Sequence, residues 1–199
     1  MVRNGGDAQR RGALAFVGRL LGASPDALEC EAAADYPGPG ALLFLPYLSG
    51  ERTPLDDPYA RGVLFGLSEA SSRADVARAV MEGVALTLAE AHDCLAEAGA
   101  RIERVGLIGG GAKSLLWTRM IAAATGFTVV RMKGGETGPA YGAARLARIA
   151  ATGESPEAVC LPSQIADVTE PDPKLADLFG RQRERFAALY SAVKSEFRK

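Results

Sequence analysis

The chain has 199 residues, of which 48% are hydrophobic and 24% charged, and its formal net charge is −1. These values are typical of a soluble globular protein, and the balanced charge argues against binding to nucleic acid or an anionic membrane. No apolar stretch approaches the roughly 20 residues that span a bilayer.

The sequence predicts helices and short strands along the whole chain. In order, these are a helix over 7–21, an irregular segment over 22–40, strands over 41–45 and 62–67, a helix capped by Ser71 or Ser72 and reaching 98, a strand over 105–108, a helix over 115–125, a strand over 127–132, a helix over 139–151, a proline-containing linker and a helix over 174–198. The alternation over 104–151 predicts parallel strands covered by helices. Gly83 indicates that another element closely approaches the long helix.

We expect one main domain over residues 1–153, with the linker and last helix of 154–199 packed on it as an appendage. The apolar stripe of that helix includes Phe179 and Phe186. Such a stripe is typical of core packing, although it could also form a homodimer face.

The cysteines predict a reduced, cytoplasmic protein. Cys30, Cys94 and Cys160 are far apart and odd in number, which does not suit a disulfide framework. A single histidine and the absence of clustered cysteines leave no zinc-binding pattern. We therefore assign no metal ligands.

The most informative segment is the glycine-rich turn between the strand over 105–108 and the helix over 115–125. Three consecutive glycines can bring backbone amides close to a ligand, because they have no side chain. Gly106, Gly111 and Lys113 nearly match a phosphate-binding P-loop, but Ala112 shifts the lysine by one residue. The dinucleotide fingerprint also fails, because no glycine stands three residues after Gly111, which disfavours a dehydrogenase. A tight structural turn is the alternative to a ligand site.

Five segments in order resemble the C-terminal domain of the FGGY carbohydrate kinases. They lie at 44–54, 57–62, 78–85, 105–117 and 138–147. The first contains Gly-Glu-Arg-Thr-Pro, which favours family members that phosphorylate D-xylulose over those that phosphorylate glycerol.

The resemblance implies an α/β, ribonuclease H-like fold of the actin, hexokinase and Hsp70 ATPase superfamily. It further implies ATP, with Mg²⁺ bound to it, and a sugar in a cleft between two domains. The nucleotide-contacting residues would be Gly109, Gly110, Gly111 and Ala112, with Ser114 and Leu115 nearby on the next helix. The hinge helix at the cleft would begin with Gly138, Pro139, Ala140 and Gly142.

The loop after the first strand offers further cleft candidates. Glu51 and Arg52, followed by Thr53, could act together at the cleft or form an ion pair that braces the loop. Arg61 could line the cleft or hold a carboxylate.

The resemblance also implies that much of the enzyme is missing. The family's N-terminal domain and its catalytic aspartate have no counterpart here, so we expect an incomplete sheet with an exposed edge and no activity from the chain alone. We assign no catalytic residue, because Asp56 and Asp57 suit a turn. Two alternatives remain: a family member acting on ribulose, fuculose or rhamnulose, and a non-catalytic module that binds nucleotide or a partner chain.

Overall fold

A computed structural model describes residues 5–161 and 163–198 of the chain. The helices are α1 (Gly5–Leu21), α2 (Pro25–Ala33), α3 (Arg73–Glu97), α4 (Leu115–Thr125), α5 (Pro139–Thr152), α6 (Pro156–Val159) and α7 (Pro173–Val193). The strands are β1 (Leu43–Leu45), β2 (Val63–Phe65), β3 (Arg104–Leu107), β4 (Thr128–Met132) and β5 (Ile165–Thr169). Short 3-10 turns occupy Gly110–Lys113, Gly135–Thr137 and Lys194–Arg198.

Two small sheets organise the molecule. In the first, β1 and β2 pair in antiparallel fashion. In the second, whose order is β3-β4-β5, β3 and β4 are parallel and β5 runs antiparallel to β4. The parallel pair confirms the prediction made from the alternation of strands and helices. Because β3 and β4 are parallel, the turns that follow them leave the sheet at the same edge.

The long helix α3 forms the centre of the core. It begins with a capping box, in which the Ser72 side chain accepts from the Asp75 backbone and the Asp75 side chain accepts from the Ser72 backbone. Its residue Gly83 faces β1 so closely that an added Cβ would collide with the carbonyl oxygen of Phe44. The close approach predicted at Gly83 is therefore confirmed, and the approaching element is β1.

Three elements were not predicted. The segment over 22–40 contains α2, whose start is marked by the Ser24 cap, Pro25 at the first turn and Asp26. These signals were present in the sequence, so the irregular interpretation of this segment was wrong. The proline-containing linker holds the short helix α6, capped by Ser155, and the strand β5, whose exposure alternates from Ala166 to Thr169 at the edge of its sheet.

The last helix and the hinge helix differ in their burial. On α7, Phe179 and Phe186 are buried in the core with α4 and β1, so the stripe packs internally. Helix α5 has no buried residue, and its Tyr141 and Leu146 are exposed. An apolar surface on α5 therefore remains open.

Candidate functional site

The glycine-rich turn lies directly after β3, at the edge where the parallel strands end. Gly109 has φ of 81°, a left-handed conformation that favours glycine, and it leads into the 3-10 turn Gly110–Lys113. The amides of Gly110 and Gly111 begin that turn, where no earlier carbonyl within it can accept from them. Both residues are partly exposed, so these backbone groups face an accessible surface.

A single carbonyl joins this turn to the start of the hinge helix. The oxygen of Gly135, in the turn after β4, accepts from the amide of Gly109 at 2.8 Å and from that of Gly138 at 3.1 Å. Gly138 has φ of 54° and immediately precedes Pro139, the first residue of α5. The structure thus brings the predicted nucleotide-contacting and hinge segments together, although Gly109 and Gly138 lie 29 residues apart in sequence.

The side chains of the turn divide into a structural and an exposed set. Ser114 is buried and accepts from the amide of Trp117 at 3.0 Å, which caps α4, and Ala112 is buried as well. Trp117 is buried and donates to the Met81 carbonyl of α3 at 3.0 Å, which ties the start of α4 to the core. Exposed Leu115, with exposed Ile108 before the turn, supplies apolar surface beside the glycine amides.

Of the remaining hinge residues, Pro139, Ala140 and Gly142 all lie in the first turn of α5. Ala140 and Gly142 are exposed, and an added Cβ at Gly142 would meet no atom within 4 Å. Their exposure leaves room for a second helix to pack closely on this one.

The loop between β1 and β2 is held elsewhere, against α3 and α7. Backbone groups of Glu51 and Asp57 bond to each other, at 2.9 and 2.8 Å, and close the loop. The Asp57 carboxylate accepts from the Tyr190 hydroxyl at 2.8 Å and from the Tyr59 amide at 3.0 Å. The Tyr190 hydroxyl lowers the pKa of Asp57 more than any other contact. The turn role expected for this aspartate is therefore supported, and it also anchors the last helix.

Glu51 uses its carboxylate within the loop. One oxygen accepts from the Thr53 amide at 2.9 Å, and no described residue bonds to the other. An ion pair with Arg52 is not found among the described contacts. Arg52 and Thr53 are exposed, while Arg61 donates to the carbonyls of Pro58 and Ala60 at 3.1 and 2.8 Å. The carboxylate partner considered for Arg61 is likewise not found among the described contacts.

Three buried polar atoms lie near this loop, on Tyr47, Glu51 and Glu90. The sequence analysis did not single out Glu90. The Tyr47 hydroxyl and one oxygen each of Glu51 and Glu90 are buried without a hydrogen-bond partner among the described residues. Burial raises the pKa of Glu51, and burial reinforced by Glu51 and Asp93 raises that of Glu90 to about 7. Glu90 could not be singled out because it belongs to an ordinary helical pattern of α3.

The described residues offer few other chemical centres. Within residues 5–161 and 163–198, no group of three or more His, Cys, Asp or Glu is placed to hold a metal ion. The three cysteines are free. Among the described helices, none is long and apolar enough to cross a membrane.

Comparison with solved structures identifies the class of the fold. Over 92% of its length, the chain matches 38% of a xyloylose (xylulose) kinase chain from Brucella ovis, with a TM-score of 0.81 and 38% identity. Together with the small mixed sheet flanked by helices, this likeness defines an α/β domain of the actin- and hexokinase-like ATPases. The predicted fold class is confirmed.

Comparison of sequences gives the family. The C-terminal domain of the FGGY carbohydrate kinases matches residues 6–151, and the chain belongs to this family. It is 39% identical to the xylulose kinase of Klebsiella pneumoniae over 183 aligned residues, and these residues make up 91% of this chain and 38% of the relative. It is 44% identical over 151 residues to the xylulose kinase of Escherichia coli, covering 75% of this chain and 31% of the relative. The chain thus spans well under half the length of these relatives.

Proposed function

We propose that the chain is the nucleotide-binding part of a kinase that transfers the γ-phosphoryl group of ATP to the 5-hydroxyl of D-xylulose. The supporting observation is the convergence of the glycine turn and the start of α5 on the carbonyl of Gly135, at the carboxyl ends of two parallel strands. Ligands of open α/β sheets bind at this edge. The FGGY membership and the xylulose kinase relatives support the reaction and the sugar.

The residues of the turn fit an adenosine group. Gly110 and Gly111 expose backbone without side chains, and Ile108 and Leu115 present apolar surface on which a base can lie. An added Cβ at Gly111 would meet only the Trp117 ring, at 3.7 Å, so the space on its outer side is open. Ala112 and Ser114, which are buried, would shape this surface rather than touch the ligand.

Other parts of the reaction belong to the length of the relatives that this chain does not span. In this proposal, the part of the relatives that this chain does not span supplies the general base and most of the sugar contacts. Mg²⁺ enters the site bound to the phosphates of ATP. The exposed first turn of α5, with Gly138, Pro139, Ala140 and Gly142, would be a hinge at the cleft. Glu51, Arg52, Thr53 and Arg61 would brace the loop, because their described contacts are with its backbone.

Calorimetric titration of ATP into the chain tests the nucleotide site. We expect binding that is abolished by Gly111→Asp, because the carboxylate would occupy the open space and repel the phosphates. Gly111→Ala is the matched control: it keeps the fold, since its Cβ lies at ordinary contact distance from Trp117. Equal affinity of the folded Asp variant and the wild type would contradict the site.

A chimera tests the reaction and the sugar. This chain would replace the matching C-terminal segment of the K. pneumoniae xylulose kinase, and ATP turnover would be measured with D-xylulose, D-ribulose and glycerol. We expect turnover with D-xylulose that is lost on Gly111→Asp. A folded chimera that binds ATP without turning over any sugar would favour a non-catalytic module, and a preference for another sugar would favour a different member of the family.

A further inference from the structure

Arg131, on β4, reaches from the sheet to the glycine-rich turn. One terminal guanidinium nitrogen donates to the Ala112 carbonyl at 3.2 Å. On the other side, Nε and the second terminal nitrogen both lie 3.2 Å from the same oxygen of Asp167, Oδ2. Asp167 stands directly opposite Arg131 in the β4–β5 pairing. The side chain of Arg131 therefore links the turn to the strand that the sequence did not predict.

The geometry of the guanidinium makes this link directional. Its donors form a rigid planar fork, so two contacts with Asp167 fix where the remaining donor points. That donor meets Ala112 near the C-terminal end of the 3-10 turn, where carbonyls have no partner within the turn. The Arg131 side chain is 21% exposed, so the surrounding protein restricts its movement.

Backbone hydrogen bonds also hold the turn: the Ala112 amide donates to the Gly109 carbonyl at 3.1 Å, and the Ser114 amide donates to the Gly111 carbonyl at 3.2 Å. The Gly109 amide bonds to Gly135, and the Ser114 side chain caps α4. Between them lie Gly110 and Gly111, whose backbones are the most flexible of any residue type. To these backbone bonds the Arg131 guanidinium adds a side-chain donor that reaches a carbonyl of the turn, that of Ala112, among the described residues.

We infer that Arg131, oriented by Asp167, is a positioning residue that holds the Ala112 carbonyl and thereby fixes the amides of Gly110 and Gly111 for the nucleotide. The inference rests on the proposed function, since these amides matter only if a nucleotide binds there. It also gives β5 a role in the site. Without this link, the turn must be ordered when the ligand binds, which weakens binding.

Two measurements on the whole chain test the inference: the Kd for ATP, and the hydrogen exchange of the Gly110 and Gly111 amides without nucleotide. We expect Arg131→Met to raise the Kd about tenfold, the effect of one lost charge-assisted hydrogen bond, and to accelerate the exchange. Asp167→Asn should raise the Kd and the exchange rate by less than Arg131→Met does, because the arginine stays but is held less firmly. Arg131→Lys should give a Kd and an exchange rate between those of the wild type and Arg131→Met, since lysine keeps the charge without the planar fork of donors.

Arg181→Met is the matched control, because it removes an exposed ion pair with Asp177 on α7, and no described hydrogen bond or ion pair joins either residue to the turn. A purely structural role for Arg131 would lower the melting temperature while leaving the Kd and the exchange of the folded variant unchanged, and this result would overturn the inference. If Arg131→Met does not fold, Asp167→Asn decides by the same criteria. If the wild type binds no ATP, the proposed function fails, and unchanged exchange in the variants would separately overturn the link to the turn.

Discussion

The glycine-rich turn and the loop between β1 and β2 are both irregular segments that follow a strand, yet they are built in opposite ways. In the turn, the buried Gly109 is joined through its backbone to a second turn, and the next two glycines, Gly110 and Gly111, are partly exposed. The loop places the buried side chains of Glu51 and Asp57 among Tyr47, Glu90 and Tyr190, against α3 and α7. One segment presents backbone to the outside, whereas the other buries charge inside.

This difference separates binding from stability. A backbone-built turn loses little packing when a neighbouring residue changes, so a substitution there should mainly affect a ligand. A buried carboxyl without a full set of partners lowers the stability of the fold, so a substitution there should mainly affect unfolding. The same contrast extends to the helices: α3 is enclosed by β1, α2, α4 and α7, whereas α5 has no buried residue.

The largest effect should come from adding one methyl group to each of these two helices. Gly83→Ala on α3 would drive its Cβ into the Phe44 carbonyl, so we expect a loss of about 3 kcal/mol or more in the free energy of unfolding. Gly142→Ala on α5 meets open space and should gain about 0.5–1 kcal/mol from helix propensity. Urea denaturation followed by circular dichroism measures both. Equal effects at the two sites would mean that α5 is enclosed like α3.

The contact at Gly83 shows what the sequence can predict about the fold. A glycine within a strongly periodic helix has few explanations, so a close neighbour was predictable, as were the parallel pair and the bounds of α4. The identity of the neighbour, β1, was not, because it depends on how elements distant in sequence pack. Strand β5 was missed because only four of its residues pair with β4, at an edge and next to prolines, and its sequence Ile-Ala-Asp-Val-Thr does not alternate strictly between apolar and polar residues.

The candidate site was predictable in part for a similar reason. Gly109–Gly111 stood out because three glycines between a strand and a helix are rare and have a direct physical meaning. The contributions of Gly135 and Arg131 depend on hydrogen bonds between segments distant in sequence, and both are made to backbone oxygens, which carry no sequence signal. The nucleotide contacts themselves stay a prediction.

A smaller effect should follow from neutralising the buried carboxyl of Glu90. Its pKa is raised from 4.5 to about 7, chiefly by burial, so the folded protein holds this proton more tightly than the unfolded chain does. Stability contributed by the proton is complete below about pH 4.5 and is lost as the pH rises to about 7. Glu90→Gln should therefore raise the free energy of unfolding by about 1–3 kcal/mol at pH 8 and change it little at pH 4.

Denaturation at a series of pH values measures this difference, and Glu97→Gln, exposed on the same helix, controls for the loss of a charge. The charge of Arg183 lowers the pKa of Glu90, whereas those of Glu51 and Asp93 raise it. The dependence of stability on pH therefore reports these four residues together. A constant offset between Glu90→Gln and the wild type from pH 4 to 8 would show that the carboxyl is not buried in solution.

The smallest effect should come from Leu146 on α5, whose side chain is 68% exposed. Leu146→Gln keeps a good helix former and removes no buried contact, so the free energy of unfolding should change by less than about 0.5 kcal/mol. Leu20→Gln on α1 is the matched control, because that leucine is 69% exposed on another helix. If α5 is instead covered by a second copy of the chain, the Leu146 variant alone should lose stability in proportion to protein concentration, and its sedimentation coefficient should fall. Equal behaviour of the two variants at all concentrations would leave α5 open in the isolated chain.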